Sequence, residues 1–376
     1  MVLQKTVDKQ GSPNHSNLAR VFVALRETHQ LTKKSLCFQL GLSRPTIDKA
    51  IEKLLSCGLA KRNGCSPSAG GRRAIFYTLN MQAGSIIGCD LELPELNLVI
   101  TGLDGIPITA RNITLSDDCI ADPRRTFGLM NVNALEMLEE LESGADKLIG
   151  LGLGVPAFLG ENTISISGQS LPQWARVPAQ SILEQLFNIP VSVENDVNCM
   201  AMTEHYEANH GDKVMGYIAL RKGLKGSIRM GASILLGGKV FHGGNGNAAL
   251  LQSAYVDTSE LDRIRQNDPC ATLGSSQVVA MLVDQLVTPL IHMVRLLDPN
   301  RLVIDASILE QGEKFFIDEI RERLNTESGS GFSCRIEMSN VEDRSLNCAK
   351  GAALHALHQL FNQPVELIER LTGSVS

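Results

Sequence analysis

The spacing of apolar residues changes near residue 80, and this change divides the chain into two differently built parts. Before it, apolar residues recur at helical intervals of three and four positions. After it, short apolar runs punctuated by glycine alternate with helical segments, as in α/β proteins. At 376 residues the chain is too long for one ordinary core. We therefore predict a small domain over residues 1–80 and a two-lobed body over 81–200 and 201–376.

Charge follows the same division. Residues 1–80 contain 13 Lys and Arg against four Asp and Glu, an excess of nine positive charges. Because the whole chain carries −6, the remaining residues carry −15. A basic segment of this kind favours contact with nucleic-acid phosphates, whereas the acidic body repels them.

The N-terminal segment has helix-turn-helix spacing. A first helix ending near Thr28 follows from the apolar spacing of Leu18, Val21, Phe22 and Leu25. A second runs from the N-cap Thr32 to Leu40 and stops at Gly41. The third begins after Ser43 and buries a stripe of five residues: Ile47, Ala50, Ile51, Leu54 and Leu55. Three helices with this turn predict a DNA-binding unit.

The third helix carries the residues that we expect to contact DNA, which are Ser43, Arg44, Thr46 and Lys49. A β-wing is predicted by three successive segments. They are a strand after Gly58, a loop rich in Gly, Ser and Pro, and a returning strand over 74–79. Arg72 and Arg73 on this wing would reach a minor groove or its phosphates, or they would form only a solvated turn. A basic trihelical unit can also be a protein-interaction domain.

Several motifs of the body occur in a fixed order. They are Asp90 after a strand, Gly152-Leu153-Gly154-Val155-Pro156, Leu171-Pro172-Gln173-Trp174, Val193-Glu194-Asn195-Asp196-Val197-Asn198, Gly243-Gly244-Asn245-Gly246 and Gly351-Ala352-Ala353. In this order they resemble the ROK family of repressors and sugar kinases, over nearly the whole chain. The winged helix in front is similar to that of the family's transcriptional regulators.

The resemblance implies a two-lobed fold of the actin and hexokinase type, with a sugar bound in the cleft between the lobes. It implies sugar-binding roles for Asn195, Asp196 and Asn245, with Asp196 at the position of the kinases' general base. A carboxylate beside an amide suits a vicinal diol, because one accepts O–H bonds while the other also donates. The alternative is that Asn195 and Asp196 only cap or brace a strand-to-helix turn.

The chain departs from the kinases at each glycine loop that would hold a nucleotide, where backbone N–H groups approach phosphates. The first loop is replaced by Asp90-Leu91-Glu92-Leu93-Pro94-Glu95, and the adenosine-side glycines by Asp305-Ala306-Ser307. The second is replaced by Arg221-Lys222-Gly223 or Ser227-Ile228-Arg229, depending on the alignment. We therefore expect no ATP turnover and no enzyme activity; a residual sugar kinase is the less favoured alternative.

Two further family features are missing. The Glu-x-Gly-His motif aligns with Leu250-Leu251-Gln252-Ser253, so both its glutamate and its histidine are absent. The cysteine cluster that often binds zinc in the family is reduced to Cys270, and one cysteine cannot build a tetrahedral site. We expect neither a metal nor another cofactor, and weak or altered recognition of simple hexoses.

These observations predict a cytoplasmic transcriptional regulator, a repressor of carbohydrate-related genes. It would bind a palindromic site in double-stranded DNA as a homodimer or tetramer, controlled by a sugar or sugar derivative in the cleft. In the alternative, a protein partner controls the regulator and no sugar binds. The N-terminus has no signal-peptide pattern, and no unbroken apolar run reaches membrane-spanning length. The nine scattered cysteines include no C-x-x-C pair, which is typical of reduced thiols.

Overall fold

The computed structural model describes residues 13–28, 30–65, 73–141, 147–160, 163–165, 174–208, 211–222, 228–246, 248–249, 258–327 and 333–373. Within these residues the strands form one small sheet, two five-stranded sheets and a separate two-stranded hairpin. The small sheet belongs to the N-terminal domain, and each large sheet is the centre of one lobe of the body.

The N-terminal domain consists of three helices and a three-stranded antiparallel sheet. The helices are α1 (Pro13–Glu27), α2 (Lys33–Leu40) and α3 (Arg44–Ser56), and the strands are β1 (Leu31–Thr32), β2 (Ala60–Cys65) and β3 (Ile75–Leu79). Strand β3 lies between β1 and β2. This is the expected winged helix-turn-helix, although the predicted wing residues 66–72 lie outside the described residues.

Local capping chemistry sets the bounds of α2 and α3. The backbone N–H of Ser35 donates to Thr32 Oγ1 at 3.1 Å, and Gly41 ends α2 with a φ of 64°. Ser43 caps α3 in the same way, because its hydroxyl accepts from the backbone N–H of Thr46 at 3.4 Å. The predicted caps of both helices, Thr32 and Ser43, and the predicted stop of α2 at Gly41 are thereby confirmed.

The first lobe is built on five strands. They are β4 (Ser85–Glu92), β5 (Glu95–Thr101), β6 (Pro107–Thr114), β7 (Leu148–Val155) and β10 (Val191–Asn195), in the order β10-β7-β4-β5-β6. The remaining elements of this lobe are α4 (Asp117–Ala121), α5 (Pro123–Glu140), β8 (Phe158–Gly160), β9 (Thr163–Ser165) and α6 (Ala179–Phe187). Strands β4, β7 and β10 are parallel, so their carboxyl ends meet at one edge, where ligands of α/β proteins bind.

The second lobe repeats this plan. Its strands are β11 (Val214–Lys222), β12 (Ile228–Leu236), β13 (Lys239–Val240), β14 (Arg301–Asp305) and β15 (Arg335–Met338), in the order β13-β12-β11-β14-β15. Its helices are α8 (Thr258–Asn267), α9 (Ser276–Leu297) and α10 (Glu313–Glu327), with 3₁₀ turns at Ser307–Gly312 and Arg344–Leu346.

Helix α9 is long and apolar enough to cross a membrane by length and composition. Asp284 and Arg295 interrupt its apolar sequence, which is why no unbroken apolar run of this length occurs in the chain. Of the residues in its most apolar stretch, 56% are buried inside the protein. Its apolar stripe packs in the core of the second lobe together with α10, which accounts for its hydropathy by burial.

Two helices lie where the two lobes meet: α7 (Asp196–Ala208) and α11 (Asn347–Phe361). Helix α11 returns to the first lobe and packs on β4, β7 and α7. A Cβ on Gly351 would lie 1.8 Å from the carbonyl oxygen of Cys199, and one on Gly152 would lie 1.9 Å from that of Ala352. These glycines therefore permit the close approach of α11 to both neighbours.

The N-terminal domain shares a hydrophobic core with the body. Side chains of α1, α11 and the final helix α12 (Pro364–Leu371) belong to one continuous cluster. Phe22 of α1 stacks on Phe361 at the end of α11, with ring centroids 5.4 Å apart, and the Arg26 guanidinium lies 3.8 Å from the Phe361 centroid. The domain is therefore packed against the body and not attached only through a linker.

Helix α5 begins earlier than the sequence spacing predicts. The apolar spacing of the sequence predicts a helix over about 131–142, whereas α5 spans Pro123–Glu140. Asp122 caps it by accepting from the backbone N–H of Arg124 at 2.9 Å, and Pro123 suits the first helical position. The cap and proline were the local signal for the earlier start.

Candidate nucleic-acid interface and ligand cleft

The predicted DNA-contacting residues of α3 surround its N-terminus. Arg44 and Lys49 are exposed, as is Ser43, and Thr46 is half-buried. The Ser43 hydroxyl caps the helix and lies 2.8 Å from Thr46 Oγ1. Ser43 and Thr46 therefore have a structural role at the helix start in addition to any contact with DNA.

Asp48 draws two cations together on this surface. Its Oδ1 lies 2.7 Å from Lys33 Nζ and 3.1 Å from Arg44 Nε. The hydrogen bond from Lys33, with a smaller contribution from Arg44, lowers the pKa of Asp48. The Arg44 side chain is 59% exposed, so solvent screens the pair and its guanidinium is accessible to a phosphate.

The wing adds further cations to the surface. Arg73 precedes β3 and is exposed, whereas Arg72 lies outside the described residues. Lys61 and Arg62 on β2 are also exposed. The sequence reasoning read these two residues as part of a strand and did not assign them to the interface, although their charge was the available signal.

The ligand cleft begins where β10 ends and α7 starts. Asn195 is buried there, and its Oδ1 accepts from the backbone N–H groups of Val197 at 3.0 Å and Asn198 at 3.3 Å. Its Nδ2 donates to the carbonyl of Ala157 at 3.3 Å. These contacts correspond to the capping role that the sequence left as an alternative.

Two buried aspartates lie at the carboxyl ends of the first lobe's strands. Burial raises the pKa of Asp196, opposed by the positive charge of Arg221, and raises the pKa of Asp90 to about 6. Asp90 Oδ2 accepts from Asn97 Nδ2 at 3.3 Å, and a hydrogen bond from the Cys348 thiol of α11 opposes part of the rise in the pKa of Asp90. Asp90 is thus held by neighbours of its own and is almost fully buried.

A carboxylate and two arginines connect the lobes across the cleft. Glu92 at the end of β4 forms an ion pair with Arg221 at the end of β11, and its Oε1 lies 3.2 Å from Arg229 Nη2 at the start of β12. Burial disfavours the charge of Arg221, but the carboxylates, led by that of Glu92, outweigh this and raise its pKa. We call these three residues the cleft clasp.

A second contact joins the lobes at Glu194. His242, in the loop after β13, lies with its Nε2 2.7 Å from Glu194 Oε2, and this hydrogen bond raises the pKa of His242. His355 of α11 lies 3.7 Å from the same oxygen. Asn245 belongs to the same loop as His242 and is exposed, so the structure groups Asn195 with Asp196 but leaves Asn245 at the surface.

Comparison with known proteins assigns part of the body to a known family. The family model described as ROK family matches residues 114–261. The chain carries a ROK family domain. It is 23% identical over 380 residues to a protein named xylose repressor from Caldicellulosiruptor bescii, which covers 88% of this chain and 93% of the relative. The expected ROK resemblance is confirmed.

Solved structures confirm the expected fold class. A structure described as a ROK family transcriptional regulator, a homologue of the E. coli MLC protein, matches with a TM-score of 0.73 at 15% identity. The match covers 96% of this chain and 99% of that one. A ROK hexokinase from Thermus thermophilus matches with a TM-score of 0.58 at 19% identity, over 73% of this chain and 99% of that one.

The ROK motifs noted in the sequence have different structural roles. Trp174 is buried, donates from Nε1 to the carbonyl of Ile120 at 3.0 Å, and packs edge-on against Phe127, so it is a core residue. Asp305, in the segment that replaces the adenosine-side glycines, is buried and lies 3.4 Å from Arg344 Nη1. The residues aligned with Glu-x-Gly-His, 250–253, lie outside the described residues.

Sequence reasoning did not find the partners of the cleft clasp or of Glu194. It noted the carboxylates after Asp90 and the segments near 221 and 229 only as replacements of the phosphate-binding glycine loops. Their pairing joins positions separated by 129 and 137 residues. Within the described residues, no group of three or more His, Cys, Asp and Glu side chains could hold a metal ion.

Proposed function

We propose that this chain is a transcriptional repressor that binds double-stranded DNA through α3 and the wing. The observation that carries the proposal is the exposed cationic start of α3, which displays Arg44 and Lys49 on a winged helix. The relative named xylose repressor supports the same function. We infer that Ser43, Arg44, Thr46, Lys49, Arg72 and Arg73 contact the DNA, and that the protein acts in the cytoplasm.

We infer that the repressor acts as a homodimer or tetramer on a palindromic operator. Two recognition helices related by a two-fold axis enter successive major grooves about 34 Å apart. We also propose that the domains have the functions expected from the sequence. Residues 1–80 bind DNA, and the lobes over 81–200 and 201–376 form the effector cleft. Helix α11 follows the second lobe in the sequence but packs against the sheet of the first lobe, which supports assigning it to both.

A sugar or sugar derivative in the cleft is the effector that we propose. The carboxylates of Asp90 and Asp196, at the carboxyl ends of β4 and β10, supply acceptors for ligand hydroxyls. Asn245 lies exposed in the loop after β13, and Asn195 holds the strand-to-helix turn next to Asp196 through its cap. The effector acts only if it binds one arrangement of the lobes more tightly than the other.

Helix α11 supplies a route from the cleft to the DNA-binding domain. At its first turn, Asn347 Nδ2 donates to Tyr217 of the second lobe at 3.2 Å. At its last turn, Phe361 stacks on Phe22 of α1. Because α11 is closely packed throughout, we infer that a change in lobe closure moves it as a rigid body and shifts the domain that it contacts.

We infer that the chain does not phosphorylate its ligand. The cleft clasp places the carboxylate of Glu92 against the two arginines that would otherwise meet nucleotide phosphates, and the Arg344 pair adds a charged contact at Asp305. A nucleotide would have to displace Glu92 and would meet its negative charge.

The test is selection of genomic DNA fragments by the purified full-length chain at physiological salt, followed by sequencing. We expect enrichment of a two-fold-symmetric site, lost with the double variant Arg44→Ala/Lys49→Ala and retained with Lys314→Ala, which removes an exposed cation of the body. Release of that site by a sugar supports the effector proposal. Absence of any enriched site would overturn DNA recognition, and release only by a co-purifying protein would overturn the sugar effector.

A further inference from the structure

An apolar cavity lies between the DNA-binding domain and the final helix, outside the cleft. It has a volume of about 290 Å³ and is bounded by α1, α3, the turn after α3, and α12. We call it the junction cavity. Its apolar lining consists of Leu18, Leu54, Cys57, Leu59, Val365 and Ile368. None of Asp90, Asp196 and the cleft-clasp residues belongs to its lining.

Part of the apolar wall is open to the cavity. Leu18, Cys57 and Val365 pack against the core that the DNA-binding domain shares with the body, but they are only half-buried. Their accessible surface favours an apolar group, because covering it removes that surface from water. The volume lies at the lower end of small-molecule sites, so it fits one small molecule.

Two opposite charges border the cavity without neutralising each other. Lys53 of α3 and Glu369 of α12 both belong to the lining. Neither side chain forms an ion pair or a hydrogen bond with another described residue. A ligand with only a carboxylate is attracted by Lys53 but repelled by Glu369, and a ligand with only an ammonium meets the reverse. A ligand that carries both charges satisfies both side chains.

Two helices end at the cavity, and their ends add negative potential. Lys53 and Leu54 lie in the last turn of α3, and Ile368 and Glu369 lie in the last turn of α12. The C-terminal end of a helix carries a partial negative charge that stabilises a nearby cation. Lys53 is the only cation among the described lining residues. An ammonium is therefore favoured on the side of Glu369, and a carboxylate at Lys53.

We propose that the junction cavity binds a free α-amino acid with an apolar side chain. Lys53 pairs with the α-carboxylate and Glu369 pairs with the α-ammonium. The side chain of the ligand lies against the half-buried Leu18, Cys57 and Val365. Binding at this site does not depend on the proposed DNA function; only its regulatory consequence does.

The cavity reaches the recognition helix directly. Lys53 and Leu54 belong to α3, and Val365 and Glu369 belong to α12. A ligand that bridges these helices holds the DNA-binding domain in one position against the body. It changes the affinity for DNA if it binds the free and the DNA-bound arrangements unequally. This regulatory step rests on the proposed function.

Isothermal titration calorimetry of the full-length chain without DNA tests the site, with L-leucine and L-phenylalanine as probes. We expect at least one of them to bind saturably, and L-alanine, which has the same charges but a short side chain, to show no saturation at the same concentrations. The corresponding acid without the amino group and the corresponding amine without the carboxyl group should each bind about tenfold more weakly.

Charge variants test the two ends of the ligand. Lys53→Met and Glu369→Gln should each weaken binding by about tenfold, because one charge of the ligand loses its partner. The matched controls are Lys34→Met on α2 and Glu366→Gln on α12, at exposed positions outside the lining. Both should keep the wild-type affinity within about twofold.

Two further variants locate the binding site. Val365→Trp fills the cavity and should abolish binding, whereas the cleft variant Asp196→Asn should retain it. Circular dichroism melting shows whether each variant is folded. If Val365→Trp does not fold, the charge variants at exposed and half-buried positions still test the site.

Four outcomes overturn the proposal. In the first, neither amino acid binds at millimolar concentration. In the second, a probe with only one charge binds as tightly as the amino acid. In the third, the matched controls weaken binding as much as Lys53→Met and Glu369→Gln. In the fourth, binding survives in a folded Val365→Trp protein but is lost in Asp196→Asn. Because the titration contains no DNA, failure of the proposed repressor function leaves its result readable.

Discussion

The start of α3 and the floor of the cleft both place one carboxylate between two cations, and they differ in how far those cations are exposed. At α3, Asp48 lies between Lys33 and Arg44, whose side chains are 18% and 59% exposed. In the cleft, Glu92 lies between Arg221 and Arg229, whose side chains are 17% and 25% exposed. A screened pair contributes little to stability and can exchange partners, whereas breaking a buried one leaves an uncompensated charge. The first arrangement suits recognition of phosphates, and the second suits a fixed arrangement of two lobes.

The largest difference between the two regions should appear when each carboxylate is neutralised. We expect Glu92→Gln to lower the free energy of unfolding by about 3 kcal/mol, because two partly buried arginines lose the carboxylate that they share. Asp48→Asn should change it by less than about 1 kcal/mol. Urea denaturation of both variants provides the measurement. Equal small losses would show that the cleft clasp is as well solvated as the surface pair.

The close approach of α11 can be broken at a single glycine. Gly351→Ala places a Cβ 1.8 Å from a backbone carbonyl, so we expect a loss of about 2 kcal/mol or more and weaker coupling between cleft and DNA-binding domain. Gly128→Ala in α5 is the matched control, because its Cβ would meet nothing within 4 Å. That substitution should stabilise the protein by about 0.5 kcal/mol. Thermal melting distinguishes the two, and an unchanged Gly351→Ala protein would refute tight packing of α11.

The two regions should also respond to pH with opposite signs. Asp90 has a pKa of about 6, above its ordinary value of 3.8, so the folded state keeps a proton that the unfolded state releases between these pH values. Stability therefore falls as pH rises from 4 to 6, by about 2 kcal/mol. The pKa of Asp48 is lowered instead, so its smaller contribution is lost as pH falls.

Chemical denaturation between pH 4 and 7 measures this effect. Asp90→Asn should make the decline shallower and make the protein more stable than wild type at pH 7, whereas Asp48→Asn should leave the decline in place. The decline that remains in Asp90→Asn comes from Asp196 and His242, whose pKa values are also raised. A decline as steep in Asp90→Asn as in wild type would assign the titration to another group.

The smallest change in stability is expected for Arg44→Ala, the variant with the clearest expected effect on DNA binding. Arg44→Ala should alter the free energy of unfolding by less than about 0.5 kcal/mol, because its pair with Asp48 is exposed. It should nevertheless weaken DNA binding. If Arg44 contacts a phosphate, the dependence of log affinity on log salt becomes shallower by about one.

Fluorescence anisotropy across a salt series measures both quantities. Lys314→Ala removes a comparable i,i+4 pair with Asp318 on the body and should leave the salt dependence unchanged. The same slope for Arg44→Ala and wild type, with no loss of sequence preference, would remove Arg44 from the interface.

Local features of the chain could be predicted, and distant pairings could not. The caps Thr32 and Ser43 and the stop at Gly41 depend on residues within one helical turn, so their sequence patterns were sufficient. The two wing strands were likewise visible in composition and spacing. The early start of α5 was missed although its signal, Asp122 before Pro123, was local.

The role of Asn195 shows what the sequence could not predict at the candidate site. Its sequence context permits either a cap or a ligand contact, because both use the same amide. Only the folded turn places its Oδ1 on the N–H groups of Val197 and Asn198. The same holds for the cleft clasp, whose three residues come from three strands of the two lobes.

The sequence by itself determined the winged helix, the alternation of strands and helices, and the loss of the kinase glycine loops, because each depends on neighbouring residues. The tertiary structure alone decided which charges meet. Glu92 finds Arg221 and Arg229, and Phe22 finds Phe361, only after the two lobes and α11 have packed. Burial then determines whether such a contact is a screened surface pair or a firm connection, and burial is a property of the whole fold.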